Sequence, residues 1–160
     1  MEDIDLLLMA MRVSQGNRDR LAAQTCKRTE TDVPNKSVLI MGLDPTLIDF
    51  SSPEFSVIPG LNAEKVLAAL KADGEHLSRL GYDVHVCLTD FGETAEAVAR
   101  EHLRQKPFDC VMIGAGVRTM PTHFLLFEKL VNVVHANAPQ AKLCFNTKPS
   151  DTAEAIQRWV

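Results

Sequence analysis

Three short stretches of this chain carry residue types that bind or transform small anions: Gly42-Leu43-Asp44-Pro45, Gly114-Ala115-Gly116-Val117-Arg118-Thr119 and Asn146-Thr147-Lys148. Each follows an apolar run. Gly42, Gly114 and Gly116 have no side chain, so backbone N–H groups beside them can approach a phosphate or carboxylate closely. Arg118 offers a two-pronged guanidinium to the same oxygens. Thr119, Asn146 and Thr147 supply hydroxyl and amide donors that orient a bound group, and Lys148 adds a second positive charge. Asp44 is the general base if the site carries out a reaction, because a carboxylate at a partly dehydrated strand end can have a useful pKa. His123 is the second acid–base candidate. The structural alternatives are that Asp44 closes a turn through its own backbone, that His123 opens a helix, and that Arg118 is solvated.

Several familiar chemistries are excluded by spacing. A dinucleotide fingerprint needs a third glycine where this chain has Thr119, and no acid follows the last strand to hold a ribose. Neither a P-loop nor a G-x-S-x-G elbow occurs. The five histidines, at 76, 85, 102, 123 and 135, show no H-x-x-x-H pair and no zinc-type spacing with cysteine, so no metal site is expected. No residue pattern names a cofactor, and no Ser/His/Asp or Cys/His set can be assembled from position. Whether the chain is an enzyme is therefore left open at this level.

The elements that must position these residues are marked by regular punctuation. Ser37 to Gly42 is a continuous apolar run ending in glycine, as in a strand buried on both faces. Tyr82 to Thr89, Phe108 to Gly114 and Ala141 to Asn146 read as further strands. Asn62 caps a helix from Ala63 to about Leu80 that places Val66, Leu67, Leu70, Leu77 and Leu80 on one side and stops at Gly81. Thr94 to Gln105, Pro121 to Asn137 and Asp151 to Trp159 are the other helices. Asp151 and Glu154 have capping-box spacing. Strands alternating with helices imply parallel pairing with right-handed crossovers, and the expected spatial order is 2-1-3-4. The three stretches then meet at one edge, because ligands of open parallel sheets collect at the carboxyl ends of the strands where the order reverses. Asp44 to Gly60, with prolines at 45, 53 and 59, is a long connection over that edge and a candidate lid.

At 160 residues, 46% hydrophobic, 24% charged and a net charge of −4, the chain is expected to form one α/β domain over residues 37–160, preceded by a helix and linker segment over residues 1–36. The net charge gives no basic field for nucleic acid, and no apolar run reaches the roughly 20 residues of a membrane span. Cys87, Cys110 and Cys144 fall in strands, where a thiol acts as a small apolar group, and the first residues carry acids rather than Lys or Arg. Both point to a soluble cytoplasmic protein. The helix Pro121 to Asn137 is apolar around much of its circumference, which predicts either deep cover or a homodimer contact.

From Ser37 onward the chain resembles the flavodoxin-like and response-regulator-like group, and Lys148-Pro149 after a strand is similar to the Lys-Pro that closes a receiver site. That resemblance implies a three-layer, Rossmann-like sandwich. The chain departs from a receiver in having Gly114 where the phosphorylatable Asp would stand and at most one acid, Asp44, after strand one. Two functions follow as expectations: binding of a small phosphorylated or carboxylated metabolite at the strand ends, or a non-catalytic receiver-like interaction module.

Overall fold

A computed structural model of the chain describes residues 35–52 and 59–160. The expected amino-terminal helix, and residues 53–58 of the connection read as a lid, lie outside the described residues.

Four strands, β1 (Ser37–Leu43), β2 (Asp83–Thr89), β3 (Cys110–Ile113) and β4 (Lys142–Phe145), form one parallel sheet in the order β2-β1-β3-β4. The expected three-layer α/β arrangement is the one observed. Five helices complete the layers: α1 (Ala63–Arg79), α2 (Ala95–Gln105), the single turn α3 (Ala115–Arg118), α4 (Phe124–Asn137) and α5 (Thr152–Gln157). The turn α3 has no counterpart in the sequence expectations, since one turn is too short to show a helical period.

Because side chains alternate along a strand, β1 feeds both faces of the sheet. Leu39, Met41 and Leu43 enter one core with Val111 and Ile113 of β3, covered by Ala95, Ala99 and Leu103 of α2 and by Leu126, Leu130, Val133 and Val134 of α4. Val38 and Ile40 enter the other with Cys110 and Met112, covered by Leu77 of α1 and by Ala155 and Ile156 of α5. The apolar excess of the helix Pro121–Asn137 is thus mostly absorbed by the first core; its first residues, Phe124 and Leu125, remain 61% and 68% exposed.

α1 follows its local signals. The Asn62 side chain accepts a hydrogen bond from the Lys65 N–H at 2.9 Å, which starts the helix. At the other end the N–H groups of Gly81 and Tyr82 reach back to the carbonyls of Ser78 and Leu77, a Schellman stop that needs the positive φ of Gly81, +91°. Leu77 is nevertheless its one buried residue. No described helix is long and apolar enough to cross a membrane.

Candidate functional site

The carboxyl ends of β1 and β3 and the inner side of α1 enclose a cavity of about 260 Å3. This is just below the roughly 300–1,000 Å3 usual for small-molecule sites. Its wall is mainly apolar, with Ile40, Phe50, Leu61, Val66, Leu70 and Met112, and it includes all three glycines expected at the site, Gly42, Gly114 and Gly116. Lys65, Asp73, Asn146 and Thr152 are the polar residues that line it.

The three glycines are not demanded by the backbone. None has a positive φ. A Cβ on Gly116 would meet nothing within 4 Å, one on Gly42 would be 3.9 Å from Leu88, and one on Gly114 would be 3.4 Å from the Met41 carbonyl oxygen. What their missing side chains leave is space in the cavity wall.

The polar residues of this edge are extensively bonded to one another. Asn146, 5% exposed, accepts from the Ala115 N–H through Oδ1 at 2.7 Å and donates through Nδ2 to Thr152 Oγ1 at 3.1 Å. Thr152 Oγ1 donates to Asp73 Oδ2 at 3.0 Å. The chain of hydrogen bonds therefore runs from the exit of β3, past the end of β4, to the middle of α1.

Arg118 is turned back by α3, so that its Nη2 donates to the Asn146 carbonyl oxygen at 2.9 Å, while its buried Nε has no hydrogen-bond partner. It braces the end of β4 from outside the cavity wall. Arg118, Lys65 and Lys148 have no ion-pair partner among the described residues, and Lys65 Nζ donates to the Gly60 carbonyl oxygen at 2.6 Å. Lys106 and Lys36, at the opposite edge of the sheet, are paired with Asp83 and Asp109.

The other expected residues have structural partners. Asp44 Oδ1 accepts from the Thr46 N–H at 2.9 Å and the Thr46 hydroxyl at 2.7 Å, capping a short 3-10 turn at Pro45–Leu47. This is the turn-closing alternative for Asp44, and the residue does not line the cavity. Thr119 donates its hydroxyl to the Ala115 carbonyl at 2.7 Å. The Thr147 N–H and hydroxyl both go to Asp151, which also accepts from the Lys148 N–H. Asp151 therefore reaches back to the turn before α5 and does not form a box with Glu154. His123 is buried, its Nδ1 donates to the Gly116 carbonyl at 3.0 Å, and its ring lies 5.3 Å from that of Phe91. It holds Gly116 in place without lining the cavity.

Amide groups at this edge are also claimed by carboxylates. Asp90 accepts from the N–H groups of Gly92, Thr94 and Ala95. These bonds, that of Gly92 foremost, hold its carboxyl below the usual range. The Thr147 hydroxyl does the same for Asp151. Burial pushes the Cys87 thiol up to about 11, as expected of an inert core cysteine, and Cys110 and Cys144 are equally buried, with their sulfurs 3.4 Å apart. Among the described residues no three His, Cys, Asp or Glu side chains are grouped so as to hold a metal ion.

Asp73 is the residue that reading the sequence missed. Its signal was present: Val66, Leu70, Asp73 and Leu77 follow one another at intervals of four, three and four, which puts a carboxylate in the sheet-facing stripe of α1.

No protein-family model, curated protein or solved structure matches this chain.

Proposed function

We propose that this domain binds a small metabolite carrying an anionic group, with the body of the ligand in the cavity between α1 and the carboxyl ends of β1 and β3. The observation that carries this reading is the trio Gly42, Gly114 and Gly116: three positions along one cavity wall lack side chains, although φ requires it at none of them and crowding does not require it at Gly42 or Gly116. Lys65 at the wall, with Lys148 and the half-satisfied Arg118 nearby, supports the anionic part. Asp44 and His123 remain the acid–base candidates of an enzyme reading, but their bonds to Thr46 and Gly116 favour binding without chemistry.

The test is a thermal-shift screen with nucleotides, sugar phosphates and carboxylates, in which a ligand at 100 times its Kd adds about 2.7 kcal/mol of stability. Gly116→Leu is the matched variant. Replacing a helical glycine that has open space beside it is expected to leave the unliganded midpoint equal or higher, by up to about 1 kcal/mol of stability. The ligand-induced shift should disappear. A shift that survives in Gly116→Leu would move the ligand to another surface.

The second reading, a non-catalytic interaction module of the flavodoxin-like and receiver-like kind, is favoured by one feature. Phe91, Phe124 and Leu125 stand 48%, 61% and 68% exposed at the same edge of the sheet, on the side of α2 and α4. A contact between two copies, if it forms, would use this tip, since the rest of α4 is largely taken up by the core.

A further inference from the structure

The position of Asp73 deepens the reading of the cavity as a ligand site, and rests on it. Asp73 puts a carboxylate in the sheet-facing stripe of α1, on the wall of the cavity that Ile40 and Met112 also line, and such a group is costly to desolvate unless it is paired. One of its oxygens is paired: Oδ2 accepts from Thr152 Oγ1, which is held in turn by Asn146 Nδ2. The other oxygen has no donor among the described residues, and the half-buried residue lines a mainly apolar cavity. The Thr152–Asn146–Ala115 chain fixes the carboxylate from behind, so the group is oriented before any ligand arrives.

We infer that the ligand carries a protonated amine that docks on Asp73. An ammonium supplies both a donor and a countercharge to the carboxylate, whereas a neutral hydroxyl supplies the donor alone. Lys65 lines the same cavity at the start of α1, eight residues before Asp73 and so roughly 12 Å away along the helix axis. With the anionic group of the ligand toward Lys65 and the amine on Asp73, the ligand class is a small zwitterion whose two charges are separated by an apolar body: an ω-amino acid or a short dipeptide.

The experiment compares matched probes by calorimetric titration of the full chain: ε-aminocaproate against caproate, and 8-aminooctanoate against octanoate. The amine-bearing member of at least one pair should bind at least tenfold more tightly than its deaminated partner. Asp73→Asn should abolish that preference while keeping the acceptor for Thr152 Oγ1 and an unfolding midpoint close to that of the unsubstituted chain. Equal affinity within both pairs overturns the inference, as does a preference that survives in Asp73→Asn. If Asp73→Asn does not fold, the pair comparison on the unsubstituted chain decides alone. Binding of a sugar phosphate, nucleotide or carboxylate in the earlier screen, with no amine preference here, leaves the cavity as an anion site and removes only the amine. No binding in either experiment removes both.

Discussion

The two faces of the sheet are built from the same strands but packed to different standards. Toward α2 and α4, the buried residues Ala95, Ala99 and Leu103 meet Leu126, Leu130, Val133 and Val134 over β1 and β3. Toward α1 and α5 the cover is Leu77, Ala155 and Ile156, and the gap left between α1 and the strand ends is the cavity. Both faces have an apolar strand surface to cover. What differs is the helix laid over it: α4 presents apolar residues on most of its turns, while α1 interrupts its stripe with Asp73 and ends most of its turns in solvent. In this domain one face is closely packed and the other leaves a cavity.

Truncation should expose this asymmetry most strongly. Leu130→Ala, fully buried between α4 and the sheet, is expected to cost about 2–5 kcal/mol in urea unfolding. Leu70→Ala, half-buried on the cavity wall, should cost on the order of 1 kcal/mol, because the space beside it is already present and less area leaves water. Equal costs would show that α1 is packed as tightly as α4, and the comparison would fail.

Next in size is Arg118→Ala. Loss of the Nη2 bond leaves the Asn146 carbonyl oxygen without that donor, and an unfolding cost of about 1–3 kcal/mol is expected. A cost below about 0.5 kcal/mol would mean that the guanidinium is not needed as a brace and is available to a ligand anion.

The smallest effect is the acid limb. Asp90 and Asp151 have folded pKa values lowered, by the Gly92 N–H foremost in the first case and the Thr147 hydroxyl foremost in the second. Each therefore contributes stability that is fully present above its unfolded pKa of about 4 and is lost as pH falls through the lower folded value. Thermal midpoints measured between about pH 7 and pH 2 should fall on this limb. Asp90→Ala should lower the neutral midpoint and flatten the limb more than Asp151→Ala, because Asp90 holds three N–H groups at the start of α2. Identical profiles in both variants would place the two faces on the same footing at acid pH.

The strand positions and their order were legible because the strand runs are apolar and bounded by glycine, proline or polar turns, and β1 runs unbroken from Ser37 to Leu43. That order alone brought the candidate residues to one carboxyl edge, where Gly42, Gly114, Gly116 and Asn146 line a cavity. The roles assigned to side chains there were less legible. Arg118 turns inward because the residues between Gly114 and Thr119 close a single helical turn, for which sequence offers no periodic sign. Asp44 stood open between base and turn closure, and Thr147 read as an orienting donor, because the N–H groups and acid that engage them are set by local backbone geometry. Asp73 looked like one more surface acid in Lys71-Ala72-Asp73-Gly74-Glu75, and only its phase relative to Val66, Leu70 and Leu77 marks it as inward-facing.

The single buried side chain of α1 also bears on how the native ensemble fluctuates. Lifting α1 from the sheet uncovers Leu77 and part of a wall that is already open, so its excursion is a low-energy, sub-global opening in which the strands and α4 stay folded. A ligand seated between Asp73 and the strand ends would hold the helix down by mass action, so that occupancy of the cavity is read out as slower amide exchange along α1.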